Sequence, residues 1–207
     1  MASSPQFQWV AVVFGMILGL GITRILSGMA ATFRSRVATR PDWIALAWAA
    51  AIFIAQLELW WGLSDLRDIV KEWTFPLFLL FAGSPLVLFV AAAMVLPNTE
   101  LAESQSQREL FERHGHWALF AISAYFALTI IENAYFWRAP LLQFWAILGA
   151  ALMLLPIAAF FAPRRTRGAF AAVNLLLTVC FVVVDVAIPD PAAAQPGATP
   201  TAKVCAT

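Results

Sequence analysis

Charge is what this sequence has least of. Only 12% of its 207 residues are Asp, Glu, Lys or Arg, against about 25% in ordinary soluble domains. The formal net charge is +1, so the bulk attraction that a nucleic-acid partner needs is missing, and no such partner is expected. Lysine is confined to Lys71 and Lys203; neither lies in an apolar run, which excludes a buried Schiff base. The two histidines, His114 and His116, share one polar loop. That placement argues against intramembrane Ser/His hydrolysis, His-ligated haem and a His-rich zinc core. Cys180 and Cys205 offer neither a disulfide framework nor a Cys-x-x-Cys pair. No phosphate-binding glycine loop, His-Glu-x-x-His or dinucleotide fingerprint is found. "FAGSPL" around Ser84 does not fit a nucleophile elbow. No catalytic residue, cofactor or metal-ligand set is therefore nominated. The opening "MASSPQFQ" lacks Lys and Arg, so the first apolar run reads as a retained helix rather than a signal peptide.

Apolar residues supply the rest. They make up 62% of the chain, and mean hydropathy is +0.80. A bilayer core needs about 20 apolar residues per helix. Six continuous runs fit, at 8–26, 43–63, 74–96, 117–137, 141–162 and 169–188. Continuity rather than alternation disfavours membrane strands. The expected fold is all-α, a polytopic transmembrane helix bundle of six spans in one domain, 1–188, with the lipid bilayer as its first partner. The only sizeable polar insert is 97–116, where Glu109 and Arg113 stand four apart as on a short surface helix. The tail, 189–207, is rich in Pro and Ala and is expected to be disordered.

Basic residues in short loops orient such a bundle. Nine Lys and Arg fall on one side, Arg24 and Arg164 among them, and four on the other. The nine are expected in the cytoplasm and both termini outside. Trp9, Trp60, Trp61, Trp73, Trp137 and Trp145 then sit near outer ends, and Trp43 and Trp117 near inner ends, as an interfacial belt requires.

Acids within spans are costly, at least ~2.5–3.5 kcal/mol each, and should face protein or water. Glu58, Glu132 and Asp185 lie on the second, fourth and sixth spans at one expected depth. Helical spacing gives each a face: Ala51, Ala55, Glu58 and Gly62; then Ala118, Ala121, Tyr125, Thr129 and Glu132; then Asn174, Thr178, Phe181 and Asp185. Small and hydroxyl residues are what buried membrane-helix contacts use. The acids read as joint cation ligands, as proton carriers, or as structural groups satisfied by local bonds. Arg24 is expected to reach lipid headgroups, with Arg34 and Arg36 beside it. Gly15 and Gly19 form a G-x-x-x-G suited to close helix packing, within the chain or against a second copy or larger complex.

At "LGLGITRILSG" (Leu18 to Gly28) and "ELWW" (Glu58 to Trp61) the chain resembles a loose group of small bacterial multi-span inner-membrane proteins. Their shared features are a glycine-rich first helix ending in a basic residue and a Trp-rich second helix. The resemblance implies a bacterial inner membrane and carries over no catalytic residue. Two functions are expected from these residues: a small proton or cation transporter or channel, and a non-catalytic membrane subunit. A membrane enzyme without a recognised motif is third.

Overall fold

The structure, a computed structural model, describes residues 5–35, 42–70, 72–97, 107–113, 115–136 and 144–187. Arg36, half of the insert 97–116, Trp137 and the tail 189–207 lie outside them. All regular structure among the described residues is helical: α1 (Pro5–Arg34), α2 (Trp43–Ile69), α3 (Phe75–Val95), α4 (Gln107–Arg113), α5 (Ala118–Phe136), α6 (Phe144–Phe161) and α7 (Arg167–Ala187). A 3-10 turn, Gly115–Trp117, leads into α5. Asp42 starts α2, its Oδ1 accepting the Ile44 N–H at 3.2 Å, which satisfies one of the donors a helix start leaves free. α3 carries a proline in its first turn, where the missing N–H costs nothing.

Five helical segments are long and apolar enough to cross a membrane: Phe7–Arg34, Trp43–Leu63, Phe75–Val95, Gly115–Tyr135 and Arg167–Val184. They suit a multi-pass membrane protein. The count of six is not reached by this measure. Among the residues whose side chains are described, the continuous apolar stretch of α6 is Ala146–Phe161, about 24 Å of helix against a ~30 Å hydrocarbon core. The run at 141–162 draws three of its residues from 137–143, outside the described part. α2 instead continues past residue 63 to Ile69, through a stretch too polar to belong to the span.

The helices pack in a closed circuit: α2 against α3, α3 against α5, α5 against α6, α6 against α7, and α7 back against α2. α1 lies in the groove between α2 and α3. Small residues let the helices approach: Ala45, Ala49, Ala91, Ala92, Ala118, Ala159 and Ala171 are buried, and Trp48, Ile52, Leu88 and Leu152 fill the space between. Trp48 is thus a core residue and no belt anchor. A second apolar cluster joins Val10 and Phe14 of α1 to Leu66, Val70, Phe81 and Ala82. There Trp73 meets Phe14 and Phe81 edge-on, at 6.4 and 5.7 Å between ring centres. Trp9, Trp43, Trp60, Trp61 and Trp117 are exposed, as anchors in a belt would be.

The starts of α2, α5 and α7 share one end of the bundle with the finish of α6, since Ile44, Leu119, Phe160 and Arg167 line one small recess. The finish of α3 joins them, because a Cβ on Gly115 would touch the Met94 carbonyl at 3.3 Å. α1 finishes there too, with Gly28 against Leu96. Seven of the nine basic residues expected on one side, Arg24, Arg34, Arg108, Arg113, Arg164, Arg165 and Arg167, fall at this end; Arg36 and Arg40 lie outside the described residues.

Candidate intramembrane polar site

α2, α5 and α7 all start at one end of the bundle, so helix rise measures depth. Glu58 stands ~22 Å and Glu132 ~21 Å from their helix starts, and Asp185 ~27 Å. The α7 backbone carries Asp185; its side chain is outside the described part.

Glu132 is buried, 6% exposed. Its Oε1 accepts a hydrogen bond from the Ser84 hydroxyl at 2.8 Å. Ser84 sits on α3, directly before Pro85, and is fully buried. Pro85 has no N–H to give to the carbonyl four residues back, which opens the α3 ladder. The bond therefore joins α3 to α5 at a place where α3 departs from regular helix bonding. Sequence reasoning looked at Ser84 only as a nucleophile and missed this partnership.

Tyr125 lies two turns from Glu132 on α5 and is buried. Glu58 and Glu132 are both near enough to act electrostatically on its phenol. Glu58, half-buried on α2, thus shares a neighbourhood with Tyr125. On its helix face Ala51 and Ala55 are buried and Gly62 is exposed, so the stripe turns from the interior toward the surface along α2. Thr129 donates to the Tyr125 carbonyl at 3.1 Å, and Thr178 to the Asn174 carbonyl at 2.8 Å. Each hydroxyl gives its proton to its own helix and keeps its oxygen lone pairs for other work.

Three buried side chains have polar atoms with no hydrogen-bond partner among the described residues: Gln56 and Asn174 with both amide atoms, and Ser123 with its hydroxyl. Such groups cost about 1–3 kcal/mol each when left unsatisfied. Asn174 was expected on the inward face of α7. Gln56 was not foreseen. It points at Gly21 of α1, where a Cβ would stand 2.2 Å from the amide nitrogen; Gly21 is what lets the amide fit.

Arg24 makes a protein contact. Its Nη2 donates to the carbonyls of Ala93 and Leu96, at 3.0 and 2.7 Å, where α3 ends. Those carbonyls lack intrahelical donors, so Arg24 caps the neighbouring helix. A Cβ on Gly15 would stand 3.1 Å from the Trp60 ring, whereas nothing lies within 4 Å of a Cβ on Gly19. The close approaches on α1 are made by Gly21 and Gly28, not by the G-x-x-x-G pair as a unit. Among the described residues no group of three or more His, Cys, Asp or Glu is placed to hold a metal ion.

Chemically, the arrangement offers one buried carboxylate with a hydroxyl donor, a second carboxylate at similar depth, a buried phenol two turns nearer the basic end and amides able to donate or accept. No protein-family model, curated protein or solved structure matches the chain.

Proposed function

We propose that this chain is a small six-span transporter or channel for protons or a small cation. The basic end of the bundle faces the cytoplasm of a bacterial inner membrane, and both termini face outside. Glu58, Glu132 and Asp185 form its polar intramembrane site, assisted by Tyr125, Thr129, Asn174 and Thr178. The observation that carries the reading is the burial of Glu132 between α3 and α5 with one hydroxyl donor. A buried acid within a membrane span is costly to insert and by default marks a functional group. A buried carboxyl with a second acid at similar depth can exchange a proton or ligate a cation.

The test is flux in proteoliposomes, comparing the wild type with Glu58→Gln, Glu132→Gln and Asp185→Asn. Transport through this site predicts that each variant loses most of a proton- or cation-driven signal while inserting normally. Flux that is absent in the wild type, or untouched by all three substitutions, sinks the reading.

A second reading, a non-catalytic membrane subunit, is favoured by the open surface at Gly19. A glycine with no neighbour on an apolar helix admits another helix. Gly19→Ile would then abolish self-association or complex formation and leave the monomer's melting unchanged.

A further inference from the structure

The turn from α6 into α7 reads PRRTRG, Pro163 to Gly168, and it meets the short helix α4. Glu112 of α4 is the hub, with its side chain only 14% exposed. Its Oε2 accepts from Arg164 Nη2. Its Oε1 lies 3.7 Å from Arg108 Nε and 3.8 Å from Arg167 Nη1. Arg167 is further fixed by its Nε, which donates to the Ala162 carbonyl at 3.1 Å. One carboxylate therefore gathers three guanidinium groups from two distant parts of the chain.

Beside this hub opens a cleft of about 370 Å³, lined by Glu109, Glu112, Arg113, Arg164 and Arg167. That volume is in the range of small-ligand sites. Arg113 has no hydrogen-bond or ion-pair partner among the described residues. The lining holds three cations against two acids, and Arg108 and Arg165 stand next to it in sequence. Both Glu112 oxygens are already engaged, so that acid orients arginines rather than repelling an incoming anion. Each guanidinium carries five N–H donors in a planar fork; most of those on Arg113, Arg164 and Arg167 are unspent.

We propose that this cleft binds a phosphate-bearing anion. Arg113, Arg164 and Arg167 supply paired N–H donors to its oxygens, and Glu112 holds the second and third of these in place. The cleft lies where the apolar helices end, at the level of headgroups, and basic pockets between helices suit lipid phosphates. A lipid headgroup and a free phosphate present the same oxyanion, and experiment separates them. The site does not depend on the intramembrane acids.

The full chain is reconstituted in phosphatidylcholine nanodiscs and its melting temperature followed in two titrations. One raises the fraction of phosphatidylglycerol. The other raises inorganic phosphate at constant ionic strength, with chloride as the balance. A saturable stabilisation is expected in at least one: in the first alone for a headgroup site, in the second for free phosphate. Arg113→Gln, which breaks no contact among the described residues, is expected to shift the midpoint about fivefold, the worth of one charge-assisted contact. Arg113→Gln with Arg164→Gln should shift it by about tenfold or more. Arg165→Gln, outside the cleft, should leave it in place. Melting in pure phosphatidylcholine checks that each variant is folded. The proposal is overturned if neither titration saturates, if Arg113→Gln has no effect, or if Arg165→Gln acts as strongly as Arg113→Gln.

Discussion

Ser84 and Glu132 are 48 residues apart and share one hydrogen bond inside the bundle. A hydrogen bond to a charged group contributes about 1.5–3 kcal/mol. Ser84→Ala should therefore destabilise by ~1.5–3 kcal/mol if Glu132 is ionised, and by about 1 kcal/mol if it is protonated. A double-mutant cycle with Glu132→Leu, which removes the acceptor, read by unfolding in detergent, measures the coupling. A coupling near zero would mean that the pair makes no contact in solution. The glycines of α1 give a second contrast. A Cβ on Gly28 would stand 2.8 Å from the Leu96 Cβ, and neither atom sits on a flexible end. Gly28→Ala is expected to cost about 1–3 kcal/mol, and Gly19→Ala, with open space around it, less than ~0.5 kcal/mol. Equal melting of the two would contradict this packing. Glu132 was legible from sequence because a charge in an apolar run is expensive and so draws notice. Its partner was not: a serine beside a proline carries no signal of what lies across the interface. Gln56 escaped for a related reason. A neutral amide costs less than an acid to insert, and Glu58, two residues on, points to a different side of the same helix.

Helices α1 and α3 meet through more than apolar contact. Arg24 reaches the last carbonyls of α3, where the helix dipole gathers partial negative charge. Arg24→Met keeps the length of the stem and removes the donors. It should expose the amides of the Ala93–Leu96 turn to hydrogen exchange about ten- to a hundredfold faster, the effect of ~1.5–3 kcal/mol. Unchanged protection there would leave Arg24 with no capping role. Element boundaries were readable where hydropathy changes sharply, as at the start of α2, and less so at its finish. α2 carries Asp65, Arg67 and Asp68 within its last two turns. Composition marked those residues as loop, yet Leu66 is buried against Val10 and Phe14 and that contact continues the helix. The helix expected from Glu109 and Arg113 does form, over Gln107–Arg113, but its central acid is Glu112. Beside the local Arg108, two partners of Glu112 come from 52 and 55 residues away, beyond the reach of any local spacing rule.

On the scale of the whole molecule, the alternation of helix directions places Arg34, Arg113 and Arg165 at one end. In a background lacking Cys180 and Cys205, Arg34→Cys, Arg113→Cys and Arg165→Cys should each react with a membrane-impermeant thiol reagent from the same face of the bilayer. Reaction from opposite faces would exclude this arrangement. The circuit of helices has a further consequence, in time rather than in space. It closes only when α7 reaches α2, and among the described helices α7 is synthesised after all the others. Until then the α2 face that α7 covers has no protein neighbour, and Asn174 and Thr178 have not arrived. α1, lying outside the circuit, can dock before closure. Closure of this ring is thus a latch operated by α7, and a ribosome that stalls before α7 leaves the ring open to whatever helix is nearby.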